Sequence, residues 1–260
     1  MTGRALVTGA GARLGRAMAL YLGARGYRVG VHYNASRSGA DEVVDEIIAG
    51  GGHAVALQAD LLSEDATQAL GGQAAEALGG PLTVLVNNAS IFEFDTVESA
   101  TRESWDRHLE SNLRAPFVLT QHLAAHAPEP AMDDNGEPVA QALVVNMLDQ
   151  RVRKLTPGFM SYTIAKMGLW AFTQTAAQAL APKVRVNAIG PGPTLQGAAQ
   201  RADHYAIQRS STVLQRGSNL DDITAALGYF LDARAVTGQL LCVDGGQHLG
   251  WKTPDIVDTP

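Results

Sequence analysis

Tyr162 and Lys166 stand four residues apart in the stretch Tyr162-Thr163-Ile164-Ala165-Lys166. On a helix that spacing puts a phenol and an ammonium on one face, about one turn apart. A nearby cation favours the phenolate, so the tyrosine pKa is expected to fall from its reference of ~10. A tyrosine tuned in this way can hand a proton to a substrate near neutral pH. The pair alone arises by chance in any long helix, so its meaning depends on what surrounds it.

The elements that must position such a pair begin near the N-terminus. Ala5-Leu6-Val7 reads as a short buried strand, and Ala17 to Leu22 as a helix. Between them lies Thr8-Gly9-Ala10-Gly11-Ala12-Arg13-Leu14-Gly15. Strand, glycine turn and helix is the context a dinucleotide site requires. Glycines let the backbone approach a pyrophosphate, and the helix N-terminus favours its charge. The second strand, Arg28 to Tyr33, carries no acidic residue at its end to accept from a ribose 2′-hydroxyl. Instead His32, Asn34, Ser36, Arg37 and Ser38 follow, with Arg13 available from the glycine turn. That set offers donors and positive charge to a 2′-phosphate, which points to NADPH; solvated surface arginines are the alternative.

Further along, the apolar runs Ala54–Leu57, Leu82–Val86, Ala142–Met147, Val184–Ile189 and Gln239–Val243 read as strands. Helices are expected over 41–48, after the cap Ser63, over 104–126 as one long helix with Pro116 inside it, through Tyr162 to Ala181, and over 221–231. The polar stretch 129–138 reads as a turn region, and 196–215 as helical but mobile. Alternating strands and helices with short connections give one α/β domain over 1–260, a Rossmann-type seven-stranded parallel sheet with helices on both faces. Loops at the C-terminal strand ends face the ligand crevice of such sheets. There, after Asn88-Ala89-Ser90, Phe92 and Phe94 either pack a flat substrate or anchor the loop.

Composition narrows the class. Net charge is −6 without a basic block, which argues against a general nucleic-acid binder. The single Cys242 cannot form an internal disulfide and suits a reducing compartment. The chain runs from Met1-Thr2-Gly3-Arg4 straight into an apolar strand, and no apolar run approaches membrane length. A cytoplasmic protein with no membrane partner and no metal site is the expectation.

Together these landmarks resemble the short-chain dehydrogenase/reductase family over nearly the whole chain. The resemblance rests on Thr8-Gly9 with Gly15, Asp60, Asn87-Asn88-Ala89, Asn112, Tyr162 with Lys166, Pro191-Gly192 and Asp244-Gly245-Gly246. It implies hydride transfer from a nicotinamide cofactor and a homotetramer. It implies that Tyr162 is the acid, that Lys166 holds the ribose and tunes Tyr162, and that Asn112 anchors a water in the proton relay. The cofactor-binding set implied is Gly9, Arg13, Leu14, Gly15, His32, Tyr33, Asn34, Ser36, Arg37, Asp60, Leu61, Asn88, Ala89, Ser90, Tyr162, Lys166, Pro191 and Gly192, with Phe92, Asp149, Tyr162 and Pro193 toward the substrate.

Two departures from the family pattern are informative. Arg13 stands where the family usually has glycine, and Asp149, thirteen residues before Tyr162, stands where it usually has serine. Both occur together in the pteridine reductase branch, which includes dihydromonapterin reductases, as does Asn88-Ala89-Ser90-Ile91-Phe92. By that likeness Arg13 and Ser90 touch cofactor phosphates and Phe92 stacks on the pterin. The chemistry agrees: an ionised aspartate cannot donate to a ketone oxygen and repels one gaining charge. Asp149 suits a substrate rich in N–H groups, although a turn cap is its structural alternative. The expected activity is therefore NADPH-dependent reduction of a dihydropterin of the dihydromonapterin, dihydrobiopterin or dihydrofolate type. A carbonyl reductase acting on ketones or 3-oxoacyl substrates is the alternative, and a non-catalytic NADPH-binding sensor a lesser one. The residues beyond Gly246, including His248, Leu249 and Trp251, are expected to be ordered and to help close a site.

Overall fold

The computed structural model describes residues 3–197 and 201–251. The principal sheet is built from β1 (Arg4–Val7), β2 (Arg28–Tyr33), β3 (His53–Gln58), β4 (Val84–Asn87), β7 (Ala142–Met147), β8 (Val184–Pro191) and β9 (Leu240–Val243). All pairs are parallel, in the order β3-β2-β1-β4-β7-β8-β9. The expected strand reading holds, each strand's ends falling within two residues of the sequence limits. Strands β4 and β7 are buried throughout. That suits a parallel sheet covered on both faces, whose strands read as continuous apolar runs.

The pleat sorts those runs into two cores. Ala5, Val7, Val84, Val86, Leu143 and Val145 face one side, with α1 (Arg13–Ala24), α2 (Arg37–Ala49) and α8 (Leu220–Asp232). Leu6, Leu85, Ala142 and Val144 face the other, with α3 (Glu64–Ala77), α5 (Ala115–His126) and α6 (Met160–Leu180). Period-two alternation is what divides neighbours between the layers. A buried polar rung ties the second layer to the sheet: Asn87 Nδ2 donates to Asn146 Oδ1 at 2.8 Å, and Asn146 Nδ2 to Thr173 Oγ1 at 2.9 Å.

The expected long helix over 104–126 is instead three pieces. Helix α4 (Arg102–Leu109), capped by a Thr101–Ser104 box, runs into a π-helical stretch, Glu110–Arg114, and then α5. Pro116 has no N–H for the carbonyl four residues earlier, that of Asn112. The wider turn absorbs the break, with Ala115 N donating to Glu110 O. The stretch 129–138 forms a small antiparallel pair, β5 (Ala131–Met132) with β6 (Pro138–Val139). Within 196–215 the structure shows α7 (Ala202–Ser210), which buries no residue; 198–200 lie outside the described residues.

Candidate active site

Loops from the C-terminal ends of β1, β4, β7 and β8 converge on one cleft, beside the point where the strand order reverses. Its first compartment is a cavity of about 510 Å³ lined by Gly9, Arg13, Leu14, Gly15, His32, Asn34, Asp60, Leu61, Asn88, Ala89 and Ser90. Gly9 has φ +61°, and a Cβ on Gly15 would stand 2.2 Å from Gly9 O. Only glycine fits so close an approach. The N-cap of α1, Ala12, supplies no side-chain acceptor, and the first turn holds no acid. Uncapped first-turn amides at a glycine cradle suit a pyrophosphate. Arg13 itself takes φ +52°, the left-handed conformation for which glycine is the usual choice. Its guanidinium spans the cleft to the carbonyls of Leu195 and Gln196, at 3.3 and 3.0 Å.

Other residues of the expected cofactor set are engaged within the protein. His32 is buried, accepts from Gly9 N at Nδ1 (2.9 Å) and bonds Ala59 O through Nε2 (3.1 Å). Burial pushes its pKa down, so it is a neutral strut for the glycine turn and not a positive donor to phosphate. Tyr33 packs against the core, while Ser36 and Arg37 lie beyond the cavity wall, where Arg37 pairs with Asp41 at 3.3 Å.

The second compartment, about 290 Å³, is lined by Arg13, Ser90, Phe92, Asp149, Tyr162, Lys166, Pro191 and Gly192 among others. Tyr162 Oη donates to Asp149 Oδ2 at 3.0 Å, and Asp149 Oδ1 accepts from Arg151 N at 2.8 Å. Asp149 is therefore both the cap of a short 3-10 turn (Gln150–Val152) and the partner of the phenol. Lys166 Nζ donates to Met147 O at 2.8 Å and lies 5.6 Å from the Tyr162 ring centre. Contrary to the sequence expectation, the Tyr162 pKa is raised well above 10. Burial is the main cause, and the Asp149 carboxylate adds to it by accepting the phenolic proton. Burial lowers Lys166 to about 8, against the pull of Asp149.

The side chain of Asn112 is engaged elsewhere: Oδ1 accepts from Ile91 N (2.9 Å) and Nδ2 donates to Ile91 O (2.8 Å). Pro193 is buried, and its neighbours Pro191, Gly192, Thr194 and Leu195 line the compartment. Phe92 is 53% exposed. Phe159 backs it in a parallel stack (centroids 4.2 Å, 4°), and the Tyr162 ring meets it edge-on at 4.7 Å. Sequence reasoning missed Phe159, Asp95, His108 and Ser161. For Ser161 the available signal was a polar side chain inside an apolar helix pattern; His108, in a polar helix, carried none.

A parallel sheet with a glycine cradle at its switch point and a Tyr–Lys pair in the adjoining compartment defines a dinucleotide-dependent oxidoreductase. The family model described as enoyl-(acyl carrier protein) reductase matches residues 9–248, and the chain belongs to the short-chain dehydrogenase/reductase family. It is similar to FolM alternative dihydrofolate reductase 1 from Brucella canis, crystallised with NADP: 41% identity, 98% of this chain and 97% of that one covered, TM-score 0.90. It is also 31% identical to the 3-oxoacyl-[acyl-carrier-protein] reductase FabG of Staphylococcus aureus, over 96% of this chain and 99% of that protein. The angucycline C-6 ketoreductase LanV, with bound NADP, is 28% identical at a TM-score of 0.85, covering 95% and 96% of the two chains. Among the described residues no helix is long and apolar enough to cross a membrane, and no cluster of three or more metal-ligating side chains occurs.

Proposed function

We propose that this NADPH-dependent oxidoreductase reduces a dihydropterin, of the dihydromonapterin, dihydrobiopterin or dihydrofolate type, to its tetrahydro form. The observation that carries the reading is the 3.0 Å hydrogen bond from Tyr162 to Asp149 in a compartment that the half-exposed Phe92 helps to line. NADPH, when bound, supplies the hydride. The glycine turn with Arg13, Leu14 and Gly15 would hold its pyrophosphate, Asn34, Asp60, Leu61, Asn88, Ala89 and Ser90 would line its path, and Lys166 would hold its ribose. Lys166 has donors left after serving Met147 O.

Burial, with the Asp149 carboxylate beside it, keeps the Tyr162 phenol protonated, so a proton waits at Tyr162 Oη. The same carboxylate accepts N–H groups of a 2-amino-4-oxo ring, and Phe92 stacks beneath that ring. With the Asn112 side chain bound to Ile91, its share in a water relay falls to its main chain. Likeness to the Brucella dihydrofolate reductase supports this substrate class. A ketone or 3-oxoacyl substrate is the second reading, favoured by likeness to the FabG and LanV reductases. A homotetramer and a cytoplasmic location belong to the same proposal.

Asp149→Ser tests the two readings against each other. On a dihydropterin the change is expected to cost about 10²–10⁴-fold in kcat, the usual share of general acid–base assistance. On a reactive ketone it should help or do nothing, since a developing oxyanion loses a repulsive neighbour and gains a donor. Wild type and variant are compared on one substrate of each kind with NADPH saturating. Full dihydropterin turnover by Asp149→Ser would move the assignment to the carbonyl reductases.

A further inference from the structure

Beside Tyr162 runs a chain of polar groups to which the reaction just described gives no role. His108 on α4 is completely buried. Its Nε2 accepts from Glu93 N at 3.1 Å, and its Nδ1 lies 2.7 Å from Ser161 Oγ. Ser161 Oγ donates to Asp95 Oδ2, and Ser161 N donates to Asp95 Oδ1 at 3.1 Å. Asp95 also accepts from Ser104 Oγ at 3.2 Å, and its carbonyl from Met160 N at 3.2 Å.

These contacts fix the imidazole tautomer. A hydroxyl whose proton goes to Asp95 must accept from Nδ1–H, which leaves Nε2 to accept from the Glu93 amide. A neutral ring satisfies every contact, and burial holds the His108 pKa below its usual value. Asp95 in turn caps α6 from a distance. The N-cap residue of that helix, Phe159, has φ 59° and makes no side-chain cap. A carboxylate at the first-turn amides is the favourable arrangement at a helix start.

The chain thus joins the loop carrying Phe92 to the helix turn carrying Tyr162. Glu93 and Asp95 flank that loop just after Phe92, and Ser161 immediately precedes Tyr162. We propose that His108 is a positioning residue: the Glu93–His108–Ser161–Asp95 chain sets the spacing between the Phe92 ring and the Tyr162 hydroxyl, and so the width of the slot open to a flat substrate. Phe159 already covers one face of Phe92 at 4.2 Å, so a shift of the loop moves the face left for a substrate. This rests on the proposed use of Phe92 and Tyr162. Moving a binding surface by a fraction of an ångström relative to the reacting groups is enough to weaken productive binding severalfold.

Two isosteric halves of the imidazole separate positioning from packing. In His108→Asn the amide nitrogen replaces Nδ1, keeping the donor to Ser161 and losing the acceptor for Glu93 N–H. In His108→Gln the longer amide reaches the place of Nε2 and keeps that acceptor. Steady-state kinetics are run with NADPH saturating, on whichever of a dihydropterin or a ketone wild type turns over faster. Each variant cuts one link of the chain, and each is expected to raise the substrate KM about 10-fold. NADPH Kd should stay unchanged in both. A wild-type substrate KM in either variant, or an NADPH Kd that rises along with KM, would overturn the proposal. Should neither fold, Ser161→Ala decides: a raised substrate KM with unchanged NADPH Kd supports the chain, and an unchanged KM overturns it. A wild type that prefers the ketone would count against the dihydropterin reading alone, because the His108 variants are still compared with wild type on the substrate it uses.

Discussion

The two walls of the cleft are made of different material. On the cofactor side the contacts run through backbone. Thr8 Oγ1 accepts from Asn88 N and Ala89 N at 2.9 Å each, and Asn88 Nδ2 donates to the carbonyls of Thr8 (2.8 Å) and Gly9 (3.1 Å). On the substrate side the contacts run through side chains. Phe92 leans on Phe159, the Arg151 guanidinium lies 5.0 Å from the Phe159 ring centre, and Asp95 holds Ser161. A dinucleotide presents the same pyrophosphate whatever the reaction, so its wall needs only a fixed backbone shape. Substrates differ, and a wall of rings and carboxylates can be changed without altering the cradle.

That contrast is broken most severely from the cofactor side. In Gly15→Ala the new methyl would meet Gly9 O at 2.2 Å and Asn88 Nδ2 at 2.6 Å, and the first of these is backbone. Overpacking of this kind costs up to about 3 kcal/mol, so NADPH affinity should fall by about 100-fold, with a drop in Tm. Fluorescence titration of NADPH checks it. Wild-type affinity would mean the cradle is softer than its hydrogen bonds imply. On the substrate side, Phe92→Ala should raise the substrate KM by about 10- to 100-fold, as stacking on an aromatic is worth roughly 1–3 kcal/mol. Its NADPH affinity should not move. Equal losses for both ligands would make Phe92 a structural residue.

Lys166 lies where the walls meet and gives a smaller, pH-dependent effect. Its folded pKa of about 8 is below the ordinary 10.5, so the unfolded chain binds more protons between those values. Stability therefore rises with pH across that window, by up to ~1.4 kcal/mol per pH unit. Tyr162 acts with the opposite sign, since its raised pKa makes stability fall as pH climbs past 10. Urea denaturation of wild type and Lys166→Met at pH 8, 9 and 10 isolates the lysine. The difference between them should grow in favour of wild type as pH rises. A pH-independent difference would place the Lys166 ammonium in a polar setting, not a desolvated one.

The sequence made the cofactor wall and the sheet legible because both are local. A glycine turn sits within eight residues, and each strand is one apolar run. Tyr162 and Lys166 were suggested by helical spacing and Asp149 by the resemblance to the short-chain family, and the three line one compartment. What stayed hidden depends on contacts between distant segments. Asp95 caps a helix 66 residues away, and His108 reaches Ser161 across 53. Pairing Tyr162 with Lys166 by helical spacing suggested a lowered phenol pKa. The fold supplies the burial and the carboxylate that reverse it. His32 misled for a related reason: a histidine at a strand end looks like a phosphate donor until both ring nitrogens are seen to hold backbone.

Arg37 gives the smallest expected effect, and it probes where the backbone wall ends. The end of β2 carries no acid, and the first helical position after it is Arg37. Its side chain is 77% exposed and paired with an Asp41 that is itself 48% exposed. Exposed pairs of this kind contribute about 0–1 kcal/mol, so the pairing is no obstacle to a better partner. A ribose 2′-phosphate carries more charge than Asp41 and accepts charge-assisted hydrogen bonds. NADH lacks that phosphate, and the preference between the two cofactors isolates the contact from everything they share. With Arg37 so solvated, the contact is worth about 1 kcal/mol, and Arg37→Ala should lower the NADPH-over-NADH preference by a factor of about five. Paired titrations of the two cofactors read it directly. If the preference survives Arg37→Ala intact, the phosphate is read by the wall itself, through Arg13 and the amides near Asn34, and the cofactor side of the cleft extends its backbone logic to the adenosine end.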